Sequence, residues 1–126
     1  MFSHIVLGAD DIDAAQKFYD AIMTAIGHSA GNRMGDARVM YAIETGALMI
    51  TRPLDGNPAS AANGGTIGLT VSTPERVDAF YAAGLANGGS DAGKPGPRDA
   101  IPGSYAAYLK DPTGNKLVAW CMQQQG

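Results

Sequence analysis

Two histidines, one cysteine and a thin set of charged side chains are what this 126-residue sequence offers for acid–base, nucleophilic or metal chemistry. His4 lies in a β-type run, and an imidazole with an unperturbed pKa of about 6.5 can serve as donor or general base at neutral pH. The alternative, slightly favoured, is a polar residue hydrogen-bonded to a neighbouring strand, because no carboxylate is evident that would orient it for proton relay. His28 follows a helix-ending glycine and reads as a loop residue. The alternation of Lys116, Val118 and Trp120 against Leu117, Ala119 and Cys121 puts the thiol on the face opposite Val118, where a small buried hydrophobe fits better than a nucleophile. On the other face, Trp120 beside Val118 offers a flat apolar wall with one N–H donor, with ordinary core packing equally weighted. Tyr41, Tyr105 and Tyr108 lie in β-type runs, and some of them are expected to point hydroxyls at a ligand. Lys94 and Arg98, in a Gly/Pro-rich stretch, and Arg52, at the end of a strand, are the cations suited to a carboxylate or phosphate, arginine through its bidentate fork. For Lys94 and Arg98, solvated loop charges balanced by Asp91 and Asp99 are the favoured reading.

The elements that must position these residues come twice. FSHIVLGADDIDAAQKFYDAIMTAIG (2–27) and GGTIGLTVSTPERVDAFYAAGLANGG (64–89) share one plan: a short β-rich run, a capped helix start, an amphipathic stretch around Phe-Tyr, then glycine. Each continues into two β-type runs about a turn signal, ARVMYAIETGALMITRP (37–53) and SYAAYLKDPTGNKLVAWC (104–121). The spacing of about sixty residues is too long, and the copies too few, for a solenoid. In the first helix Ile12, Ala15, Tyr19, Ile22 and Ile26 form the apolar stripe, with Asp10 or Asp11 able to cap the start and Gly27 to end it. In the second, Ser72-Thr73-Pro74-Glu75 opens the helix, and Val77, Phe80, Tyr81 and Leu85 form the stripe. Ile5 and Leu7, like Ile67, Leu69 and Val71, alternate with other residues, so one face of each strand suits a helix. The segment 88–103 is expected to be a connecting loop.

Composition bounds the partners. A chain of this length forms one domain, with module one about 1–60 and module two about 61–126. A lone cysteine makes no internal disulfide, and no signal-like segment opens the sequence, so a reducing cytoplasm is expected. No apolar run has the roughly 18 residues of a membrane helix, and a net charge of −3 without clustered Lys/Arg argues against nucleic acid. A small molecule is the expected partner.

His4 on its strand, DIDAAQKFYD, TRPLDG, GGTIGLTV and above all Leu109-Lys110-Asp111-Pro112-Thr113-Gly114-Asn115-Lys116-Leu117 together resemble the glyoxalase/bleomycin-resistance/extradiol-dioxygenase group, the vicinal oxygen chelate superfamily. The resemblance covers nearly the whole chain. It implies an α+β fold in which two βαβββ modules curl into a half-open sheet or barrel around a central cavity, often as a homodimer. Metal-dependent members place ligands on the first and last strands of each module. Only His4 matches. The strand 47–51 carries no carboxylate, the third position falls on Thr66, or Ile67 if the register slips by one, and the fourth falls on Val118. A divalent ion needs three or more suitable ligands, so no metal cofactor is expected.

The expected function is therefore metal-independent binding of a small organic molecule, aromatic or anionic, as in the bleomycin-resistance branch. Its candidate contacts are Tyr41, Arg52, Thr66, Arg98, Tyr105, Tyr108, Val118 and Trp120. The alternative is a glyoxalase I-like lyase or isomerase acting on a small aldehyde adduct with His4 as base, which needs an electrophile for the enediolate. An extradiol dioxygenase fits least, for want of an iron triad.

Overall fold

A computed structural model describes residues 1–123. Module one runs β1 (His4–Gly8), α1 (Ile12–Ala25), β2 (Asn32–Met34), β3 (Arg38–Ile43) and β4 (Gly46–Thr51). Module two repeats the order with β5 (Ile67–Thr70), α2 (Pro74–Ala86), β6 (Ser90–Pro97), β7 (Ser104–Lys110) and β8 (Lys116–Met122). Each module folds its four strands into one sheet, ordered β1-β4-β3-β2 and β5-β8-β7-β6, with the first strand parallel to the last. The two sheets stay unclosed, as a half-open α+β architecture requires.

Local chemistry explains the helices. The Asp11 carboxylate caps α1 by accepting from the Ala14 N–H, while Asp10 reaches out to accept from Ala59 N and so ties down the linker between modules. The whole stripe Ile12, Ala15, Tyr19, Ile22 and Ile26 is buried, together with Phe18 and Met23, and Gly27 turns the chain out at positive φ. In α2 the cap is Thr73, which accepts from Arg76 N, with Pro74 in the first turn. Its stripe departs from expectation, since Leu85 is exposed and the buried position is Gly84. The reason is helix crossing. A Cβ on Gly84 would come within 2.2 Å of Leu109 Cδ1 and 3.2–3.3 Å of Phe18 and Ile22, so the missing side chain lets α1 press against α2.

The segment 88–103 is also corrected. Half of it is strand β6, paired antiparallel with β7 through register shifts at Asp91/Gly93 and Gly93/Gly96. Pro95 and Pro97 are tolerated because β6 is the outer strand of its sheet, with Pro95 in the irregular stretch and Pro97 at the strand's end.

The turn 111–115 joins the modules. Asp111 is buried, and its Oδ1 accepts from the N–H groups of Thr113, Gly114 and Asn115 at 2.8–2.9 Å, which shapes the hairpin. Its Oδ2 accepts from Asn115 Nδ2 at 2.9 Å and from the Tyr19 hydroxyl of α1 at 2.6 Å. Asn115 also donates to the Gly8 carbonyl at the end of β1. The motif that carried the resemblance is thus a clamp from the β7–β8 hairpin onto the helix and first strand of the other module.

Candidate functional site

Both sheets have a helix-facing side and an open side, and strand alternation decides which residues reach each. Leu117, Ala119 and Cys121 of β8 join the core beneath the helices, so Lys116, Val118 and Trp120 lie on the open side. Cys121 is a buried free thiol within the apolar core. Ile67 packs against that core, which leaves Thr66, just ahead of β5, on the open side. Tyr108 pairs with Val118 across β7 and β8, and Trp120 pairs with Ala106.

Two of the three strand tyrosines face the other way. Tyr41 shares the parity of buried Val39, and its hydroxyl donates to Asp20 Oδ1 at 2.7 Å in α1. Burial, then Asp20, raise its pKa far above the usual phenol value. Tyr105 shares the parity of Leu109 and donates to Asp78 of α2 at 2.6 Å, a bond that raises its pKa in turn. Neither hydroxyl lies on the open face. Arg52 is exposed, and its Nε donates to the Asp10 carbonyl at 3.3 Å, by the start of α1.

His4 is exposed at one end of a cleft of about 290 Å³ between β1 and β5, whose walls are mainly apolar: Ile5, Met23, the Tyr41 ring, Leu48, Ile67 and Leu69. Its Nδ1 lies 2.8 Å from Ser3 Oγ, and no carboxylate among the described residues bonds the ring. Acid–base chemistry by His4 would therefore proceed without an orienting partner of the kind a catalytic relay uses.

The family's metal positions can be placed through strand pairing. Val6 pairs with Met49 as Gly68 pairs with Val118, so the open-face set corresponding to the four ligands is His4, Met49, Thr66 and Val118. One imidazole, a thioether, a neutral hydroxyl and an alkyl group do not make a site for a divalent ion. Among the described residues no three His, Cys, Asp or Glu side chains come together in a metal-binding group.

Charge gathers in module two instead. Thr66, Lys94, Arg98, Tyr108 and Lys116, with Ala92 and Gly93, line a second cleft of about 610 Å³. The Tyr108 ring has Arg98 at 5.4 Å and Lys116 at 5.0 Å from its centroid. Arg98 is held by its own loop: Nη1 donates to the Gly96 and Pro97 carbonyls and Nη2 to the Lys94 carbonyl at 2.8 Å. The carboxylates that were expected to balance it do not pair with it. Asp91 turns back to accept from Gly93 N, and the only ion pair among the described residues is Arg33 with Asp13. Sequence reasoning missed Lys116 as a member of this cluster. Its parity with Val118 and Trp120 was readable, but its meeting with Lys94 and Arg98 requires the β6–β7 pairing.

Comparison with known proteins agrees with the architecture. The fold of a glyoxalase/bleomycin resistance protein from Albidiferax ferrireducens T118 superposes with a TM-score of 0.90 at 43% identity, covering 96% of this chain and 98% of that one. A glyoxalase-related enzyme from Fulvimarina pelagi matches at TM-score 0.78 and 18% identity over 96% of this chain and 87% of its own. A family enzyme from Burkholderia phytofirmans PsJN matches at 0.72 and 17% over 95% and 97%. These two show the fold alone. Comparison with curated proteins gives no match. The sequence profile of the Glyoxalase/Bleomycin resistance protein/Dioxygenase superfamily covers residues 1–119, and the chain belongs to that superfamily.

Proposed function

We propose that the protein binds a small organic molecule on its open face without a divalent metal. The observation that carries this reading is the donor set at the four family positions, His4, Met49, Thr66 and Val118, next to a wall of Val118, Trp120 and Tyr108. An indole and a phenol on one sheet face favour a planar ligand, which stacks at small entropic cost to the protein. A lyase or isomerase using His4 as base would need an electrophile beside it for the developing oxyanion, and the walls of the His4 cleft are mainly apolar. A cytoplasmic homodimer belongs to the same proposal. The exposed apolar side chains Val6, Met34 and Met122, all on the open side by strand parity, are the surface a second copy would cover.

The test is metal stoichiometry on tag-free protein after exposure to excess nickel, zinc, manganese and ferrous ion and exhaustive dialysis, followed by a thermal-shift screen of planar organic molecules. Sub-stoichiometric metal together with a stabilising ligand is expected. One ion per chain, lost in His4→Ala, overturns the reading and directs assays to a glyoxalase-type lyase.

A further inference from the structure

The geometry points to a narrower ligand class: we propose that the cleft of Thr66, Lys94, Arg98, Tyr108 and Lys116 seats the phosphate group of an organic phosphate monoester. The inference rests on the reading above, since it places the acidic end of the ligand on the same open face.

Three cations converge here from two parts of the chain, Lys94 and Arg98 on and just after β6 and Lys116 on β8, while the exposed Thr66 stands at the entrance to β5. None of the three cations forms an ion pair within the described structure. Uncompensated like charges around one cleft repel each other, and an anion relieves that repulsion. A single carboxylate would be satisfied by one guanidinium fork and would leave two lysines unmatched. A phosphate monoester carries close to two charges at neutral pH and three terminal oxygens directed apart, which suits donors arriving from several strands.

The arrangement is also prepared before binding. Arg98 makes three hydrogen bonds to main-chain carbonyls, and a guanidinium has five N–H donors, so donors remain for a ligand while the group is held in place. The Ser104 hydroxyl donates to the Arg98 carbonyl at 3.2 Å and steadies the same corner. Tyr108 lies against both Arg98 and Lys116, with its ring centroid 5.4 Å and 5.0 Å from their charged groups. From Lys116 the same face of β8 continues through Val118 to Trp120, four residues on and about 13 Å away at the usual strand rise. A phosphate at the cationic end therefore leaves room for an apolar or aryl body over Val118, directed at the indole.

The experiment is calorimetric titration of the full chain, in low salt with chelator present, using phenyl phosphate, inorganic phosphate, benzoate and phenol as probes. Phenyl phosphate is expected to bind at least about tenfold more tightly than each of the others. Lys116→Gln, Lys94→Gln and Arg98→Gln should each weaken it by about tenfold, as loss of a charge-assisted contact does. Arg98→Gln also removes bonds to the loop, so the two lysine variants, with unchanged thermal unfolding, carry the result if it fails to fold. Equal binding of phenyl phosphate and phenol, or full affinity in both lysine variants, overturns the phosphate assignment. Inorganic phosphate binding as tightly as phenyl phosphate overturns the organic part of it. Phenol bound with no gain from phosphate would sink this inference while leaving the metal-free binding reading intact, whereas a stoichiometric His4-dependent metal would sink that reading itself.

Discussion

Removing one oxygen from Tyr19 should loosen the joint between the modules by a measurable and bounded amount. The hydroxyl donates to Asp111 Oδ2 at 2.6 Å, and both residues are buried. Tyr19→Phe keeps the ring and its edge-on contact with Phe18, whose centroid lies 5.0 Å away, so little apolar packing is lost. What disappears is a hydrogen bond to a charged acceptor, worth about 1.5–3 kcal/mol net. Asp111 retains donors from Thr113, Gly114 and Asn115, which argues for the lower part of that range, about 1.5–2 kcal/mol. Asp111→Ala is harsher. It strands the Tyr19 hydroxyl, the one Asn115 Nδ2 hydrogen not bonded to the Gly8 carbonyl, and two N–H groups, since Gly114 N can fall back on the Asp111 main-chain carbonyl. At about 1 kcal/mol for each stranded donor the cost is about 4 kcal/mol, a large part of the roughly 5–15 kcal/mol that holds a small domain together. Urea unfolding with unchanged slope should report both values, and a Tyr19→Phe/Asp111→Asn cycle should show coupling of about 1 kcal/mol or more. A Tyr19→Phe cost below about 0.5 kcal/mol, or an Asp111→Ala cost no greater than that of Tyr19→Phe, would mean that Asp111 shapes only its own turn and that its bond to Tyr19 adds nothing to the joint between the modules.

That clamp also shows where sequence was informative and where it was not. The α1 stripe, a cap at Asp10 or Asp11 and the turn 111–115 were readable because each is set by contacts within a few residues. The partner of the turn was not, since Tyr19 and Asp111 are 92 positions apart. Strand β6 was hidden by composition: glycines and prolines argue for a loop unless the strand lies at a sheet edge, and edge position is a property of the assembled sheet. The facing of Tyr105 was present in the sequence as its shared parity with Leu109, and that of Tyr41 as shared parity with Val39, yet parity becomes a direction only once the helix side is known. Lys116, Lys94 and Arg98 meet only through pairing between strands, which composition cannot show.

Three further perturbations probe packing, site and titration. Gly84→Ala should cost about 1–3 kcal/mol despite alanine's better helix propensity, because the new Cβ meets Leu109 and Phe18; a raised melting temperature would contradict the close crossing of α1 and α2. Trp120→Ala should weaken binding of whichever planar ligand emerges from screening by about 1–3 kcal/mol, read by titration calorimetry, and unchanged affinity in a folded variant would remove the indole from the site. Alkaline stability follows from the buried phenols. Burial, followed by the nearby carboxylates Asp111 and Asp20, raises the pKa of both Tyr19 and Tyr41 above the ordinary value of 10.0. Above that pH the unfolded chain releases these protons while the folded chain keeps them, so the unfolded state binds fewer protons and stability falls as pH rises. The stabilisation is complete below pH 10 and declines at up to about 1.4 kcal/mol per pH unit for each fully protected tyrosine. Urea midpoints between pH 9 and 12 should trace this decline, and Tyr19→Phe should make it shallower. An equal slope in wild type and Tyr19→Phe would show that the Tyr19 hydroxyl is not held protonated by the fold.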